Sequence, residues 1–162
     1  MIELRTWTKE DIPLLVRLNS PEMTEHIGGP ETLEQVKRRL QKYVAAQSDM
    51  ARMFKVITDG VPVGSVGFWD KEWMSEQVYE TGWGILPEFQ GRGIASVATA
   101  KAIEIARASG RRDSVHAFPS VDNGPSNAIC RKLGFELLGE VQFEYPKGNW
   151  MQCNDWVLRF GS

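Results

Sequence analysis

The chain has 162 residues, 42% hydrophobic and 25% charged, which is long enough for a buried core and balanced as in ordinary globular proteins. With 19 basic and 21 acidic residues, the net charge of −2 lacks the basic excess of a non-specific nucleic-acid binder. No apolar run approaches the roughly 20 residues of a membrane-spanning helix. The two cysteines (Cys130, Cys153) and two histidines (His26, His116) have no metal-ligand spacing.

Ile2 to Thr6 alternates like a strand, with no basic n-region before an apolar stretch, so a cytoplasmic protein without a secretory signal is expected. After Asp11, the residues Ile12, Leu15, Val16 and Leu18 trace the stripe of a short helix. Thr32 to Ala46 reads as a second helix, with Leu33, Val36, Leu40, Tyr43 and Val44 inward and Lys37, Arg38 and Lys42 solvated. Arg52 to Thr58 and Val61 to Trp69 read as strands joined by Asp59-Gly60, the strongest short-range hairpin signal.

A polar connector, Asp70 to Glu76, leads to a strand from Gln77 to Leu86 and through Pro87 into a Gly-rich turn. The long helix that follows, Gly93 to Ser109, has Ile94, Val97, Ala98, Ala102, Ile105 and Ala106 on its core stripe. A strand (Ser114 to Phe118) and a helix (Ser126 to Leu133) precede two final strands, Phe135 to Val141 and Asp155 to Phe160. These two are expected to pair antiparallel, with Trp156, Leu158 and Phe160 on one face. No repeat or linker interrupts the chain, so residues 1–162 are read as one domain, an α/β fold with a mixed, mainly antiparallel sheet flanked by helices.

The turn Gln90-Gly91-Arg92-Gly93-Ile94-Ala95-Ser96 is anion-binding architecture: glycines let backbone N–H groups converge, and the helix start adds orphan donors and partial positive charge. Arg92 can add a full charge, although a tight strand-to-helix turn would also need glycine for its dihedrals alone. A P-loop is excluded, because Ser96 is followed by Val97 and no lysine stands where GxxxxGK[ST] requires it. A Rossmann fingerprint fits poorly, since three strands precede the one that enters the turn and the next strand supplies no acidic residue.

Gln90 to Ala95 resembles the QxxGxG/A signature of the GNAT superfamily of N-acetyltransferases, and Asn123-Gly124-Pro125-Ser126 with Gly134-Phe135 resembles its second signature. The segment Ser20 to Pro30 is similar to the branch containing the ribosomal-protein alanine N-acetyltransferases. The resemblance implies a GNAT fold whose strands splay at an acetyl-CoA site. It also implies pyrophosphate binding by Gln90, Gly91, Arg92, Gly93, Ile94, Ala95 and Ser96. Backbone groups near Ile85 and Leu86, and Asn123, are then expected to meet the pantetheine arm. The implied reaction is metal-free acetyl transfer to a primary amine, such as a ribosomal-protein alanine N-terminus, by direct attack in a ternary complex. A small-molecule amine acceptor and a non-catalytic acyl-CoA sensor are the alternatives, in a monomer or homodimer.

Acetyl transfer needs a group to take the amine's proton and, optionally, an acid for the leaving thiolate. Glu80, on the strand entering the turn, is the candidate base; by alternation it shares a face with Gly82 and Gly84, which predicts a strip free of side chains, though it can equally be a solvated strand carboxylate. Many superfamily members carry a Tyr where this chain has Cys130, expected here to be a small buried residue. By resemblance to the alanine branch, Ser126 is the candidate acid, with helix N-capping its alternative role. Among the large aromatics, Trp83, Tyr145, Trp150 and Trp156 are expected in the core, while Trp69 and Trp73 are candidates to line the acceptor cleft. The 70–76 connector, the His26 to Pro30 turn and the Glu144 to Gln152 loop are expected to shape it. Glu22, Glu25, Asp70, Glu72 and Glu144 would make those surroundings acidic.

Overall fold

The computed structural model describes residues 1–144 and 147–161. Its strands are β1 (Ile2–Thr6), β2 (Gln47–Ser48), β3 (Ala51–Thr58), β4 (Val61–Trp73), β5 (Glu76–Ile85), β6 (Ser114–Ala117), β7 (Glu136–Glu144) and β8 (Trp150–Arg159). Its helices are α1 (Ile12–Leu18), α2 (Pro21–Thr24), α3 (Leu33–Ala45), α4 (Ile94–Ala108) and α5 (Gly124–Lys132). One sheet runs β1-β3-β4-β5-β6-β8-β7, with β2 added to β3.

All pairings are antiparallel except β5 with β6, which touch in register only at Tyr79–Val115 and Glu80–His116. Beyond Glu80, β5 continues to Ile85 beside β4 while β6 stays with β8, so the two strands part in a V. The short β6 has a local cause: Pro119 follows closely and cannot donate to a ladder.

On one face of the sheet, α4 buries Ile94, Ala98, Ala102 and Ala106 against Tyr79, Ile85, Val115, Ala117, Trp156 and Phe160. Small residues along that helix let it lie close to the strands. On the other face α1 and α3 cover the β3–β4 side through Trp7, Leu14, Leu15, Val36, Leu40 and Met53. Thr32 and Gln35 form a capping box that starts α3 where its sequence predicts.

Three stripe residues point outward instead: Val16, Leu33 and Val97 are 45%, 55% and 43% exposed, and Leu14 takes the inward place in α1. In so short a helix the apolar residues fit two phases, and tertiary packing selects one. The expected connector at 70–76 is also corrected. β4 runs to Trp73 and β5 starts at Glu76, leaving a two-residue turn in which Met74 and Ser75 adopt φ of 51° and 67°. The polar residues there are strand residues with distant partners: Asp70 binds Arg111 at 2.9 Å, and Glu72 accepts from Gln77. The Asp59-Gly60 hairpin forms as its dipeptide predicts, with both residues left-handed.

Candidate functional site

Gly93 is the N-cap of α4, at φ 76° with no side-chain cap, and the first turn carries no acidic residue. The opening amides of α4 therefore lack a capping side chain, and the residues that carry them line a cleft of about 440 Å³. Ile85, Gln90, Gly91, Gly93, Ile94, Ala95 and Ser96 line one side of it. Asn123 and Ser126 line the other, and Met23 and His26 approach from the segment around α2. An added Cβ at Gly93, which lines the cleft, would meet no protein atom within 4 Å and would project into open space.

Two expected contacts lie elsewhere. Arg92 turns away, donating to the Glu88 carbonyl at 3.3 Å and resting over the Phe89 ring. Leu86 is 1% exposed within the cluster beneath α1 and α3, and its N–H is used by the Val63 carbonyl at 2.8 Å. Gln90 lines the cleft but its amide donates to the Ile85 carbonyl at 2.8 Å, bracing the turn against β5.

Asn123, not Ser126, caps α5: its Oδ1 accepts the Ser126 N–H at 3.2 Å. Ser126 is the third helical residue and half-buried beside the cleft. The helix is held to the sheet by buried Asn127, whose Oδ1 accepts from Trp156 Nε1 at 2.8 Å and Asn154 Nδ2 at 2.9 Å. Cys130 is buried as expected, and burial pushes its thiol up to about 12. His26 Nδ1 lies 3.1 Å from Asp122 Oδ1, linking the segment after α2 to the loop before α5.

Glu80 does not line this cleft; it stands at the closed end of the V, between Trp69 on β4 and His116 on β6. Burial raises its carboxyl above the ordinary range, and Lys71, with Nζ at 3.4 Å, opposes that rise. The neighbouring glycine strip is covered rather than free. A Cβ on Gly82 would lie 3.1 Å from the Trp69 indole, and one on Gly84 3.5 Å from Met23. A side chain at Gly82 would require the indole, which crosses the strand there, to shift by a few tenths of an ångström.

Around Glu80 the structure gathers residues that sequence reasoning missed. Asp155, 4% exposed, lies 2.6 Å from His116 Nδ1 and accepts from the Trp73 indole at 3.0 Å. Lys71 Nζ rests over Trp73, Phe118 and Phe143. Alternation along Trp69, Lys71 and Trp73 was the available signal, hidden once 70–76 is read as a connector. Among the aromatics expected in the core, Trp156 is buried, Trp83 packs at its edge and Trp150 is 64% exposed; Tyr145 lies outside the described residues. Asp70 is held by Arg111 and Arg112, which keep its carboxyl below the ordinary range, so its charge is already matched. Glu22 and Glu25 do line the cleft.

A helix N-terminus opening into a V between parallel strands, with a largely buried carboxyl at its closed end, is suited to a ligand with an anionic tail. Residues 2–136 match the acetyltransferase (GNAT) domain, and the chain belongs to that family. It is 29% identical over 105 residues to an uncharacterized N-acetyltransferase of Bacillus subtilis strain 168, YnaD, covering 64% of this chain and 61% of that protein. A GNAT-family acetyltransferase from Bacillus anthracis has a TM-score of 0.80 at 24% identity, covering 98% of this chain and 95% of that one. The ribosomal-protein α-N-acetyltransferase RimL, solved with coenzyme A, has a TM-score of 0.79 at 23% identity, over 98% and 93% of the two chains. The fold is therefore the GNAT fold. Among the described residues no helix is long and apolar enough to cross a membrane.

Proposed function

We propose that the protein is an acetyl-CoA-dependent N-acetyltransferase acting on a primary amine, with a protein N-terminal amine as the first acceptor to test. The observation that carries this reading is the uncapped start of α4 facing the V that Glu80 closes. Acetyl-CoA supplies an acetyl group activated as a thioester. The amides of Ile94, Ala95 and Ser96 hold its pyrophosphate, while Ile85 and Asn123 flank the pantetheine arm, as their places on the cleft wall suggest. Glu80 accepts the proton of the attacking ammonium, directly or through water, and the Ser126 hydroxyl donates one to the departing sulfur. RimL, a ribosomal L7/L12 α-N-protein acetyltransferase, holds coenzyme A in its complex, which supports the donor, and what it acetylates supports a protein acceptor.

The test is release of free CoA from acetyl-CoA with a panel containing peptides of differing N-terminal residue and small amines. Amine-dependent CoA release supports transfer, and a peptide preference supports the N-terminal reading. Acetyl-CoA binding without turnover on any amine would turn the assignment to a sensor.

A further inference from the structure

Lys71, Trp73, Phe118 and Phe143 come from β4, the segment after β6, and β7, yet they meet at one point. The ring centroids are 4.9 Å apart for Trp73–Phe118, 5.1 Å for Phe118–Phe143 and 5.5 Å for Trp73–Phe143, so the rings close into a platform. The Lys71 ammonium sits 5.5, 5.4 and 5.3 Å from the three centroids, with Glu80 Oε1 at 3.4 Å. Ring faces attract a cation electrostatically, and the carboxylate completes the seat. The platform is itself braced: Asp155 holds the Trp73 indole N–H and His116, and His116 stacks on Phe118 at 5.7 Å.

We propose that this platform, with Glu80 facing it, seats the ammonium of the acceptor, and that Lys71 is its built-in competitor. The inference rests on Glu80 being the base. An amine that gives its proton directly to Glu80 comes within hydrogen-bonding range of that carboxylate, where the Lys71 ammonium stands. The head that fits is a primary ammonium, the group Lys71 itself places there. Lys71 and Glu80 are 24% and 23% exposed, so an incoming cation can reach the seat from solvent when the lysine swings away.

The experiment titrates n-butylammonium, without any thioester, into the parent, Lys71→Ala and Lys71→Gln, by calorimetry and by the shift of the Trp73 indole N–H resonance. Removing the competitor should tighten binding by about tenfold or more in both variants, with neutral n-pentanol unaffected by the change. Adding Phe143→Ala or Glu80→Gln to Lys71→Ala should reverse the gain. Equal affinity in the parent and both Lys71 variants, or a gain that survives Phe143→Ala, would overturn the proposal. Unfolding curves for each variant separate lost folding from lost binding. Because no acetyl transfer is read, a failure here is distinct from a failure to release CoA in the turnover assay.

Discussion

Glu80 carries opposed demands on stability and rate. Its carboxyl is raised in the folded protein by burial, so the folded state holds that proton more tightly than the unfolded chain does. The stability it contributes is present below the ordinary glutamate value of 4.5 and is lost as pH rises through the folded value. Glu80→Gln mimics the protonated form, so it should melt higher than the parent at pH 7, with the gap closing below pH 4.5. With Glu80 as the proposed base, the same substitution removes the proton acceptor and should lower kcat by roughly 10²- to 10⁴-fold, partly rescued at higher pH, where more amine is neutral. Thermal melts and kcat profiles on one pair of proteins test both; parental activity at pH 7 would reduce Glu80 to a strand carboxylate. At the cleft's other wall the roles divide. Asn123→Ala should cost about 1 kcal/mol as a lost helix cap. Ser126→Ala should leave stability intact and lower kcat if its hydroxyl meets the leaving sulfur.

Among the elements, those set by local chemistry were legible in the sequence. The Asp59-Gly60 hairpin, the Thr32 cap and the glycine turn into α4 each depend on residues within a few positions of one another. The β4–β5 hairpin was legible only in part, because the partners that make Asp70, Lys71 and Glu72 tolerable in strands are Arg111, Glu80 and Gln77, brought there by folding. The same holds for the site. The cradle is a single stretch of chain, whereas the aromatic platform is assembled from three separate segments and has no sequence pattern of its own. The corrected hairpin is testable. Met74 and Ser75 both sit at positive φ, where a two-residue turn favours Asn-Gly. Replacing them with that dipeptide should stabilise the protein by about 1 kcal/mol, since left-handed backbone costs ordinary residues about that much. A rise in the urea midpoint checks it, and an unchanged or lowered midpoint would contradict the tight turn.

Across the whole molecule, β5 and β6 are joined at only two residue pairs, and the wedge beyond them is bounded by α4 on one side and the start of α5 on the other. A ligand filling that wedge contacts both halves of the sheet, and the unfolded chain offers no such surface. Acetyl-CoA at 100 times its dissociation constant should therefore add about 2.7 kcal/mol of stability. For a protein of this size that amounts to a rise in Tm of roughly 5–10 °C. NADH and ATP carry phosphates but lack the pantetheine arm proposed to lie beside Ile85, and should shift Tm far less. Gly93→Val separates the cradle from the fold. The left-handed φ of 76° makes a β-branched residue costly there, so the apo Tm should fall. The new side chain would project from the cleft lining into space that no protein atom fills, so the acetyl-CoA shift should vanish although the protein still melts cooperatively. If Gly93→Val retains the parental acetyl-CoA shift, the pyrophosphate is not held at the start of α4, and the donor must lie elsewhere in the V.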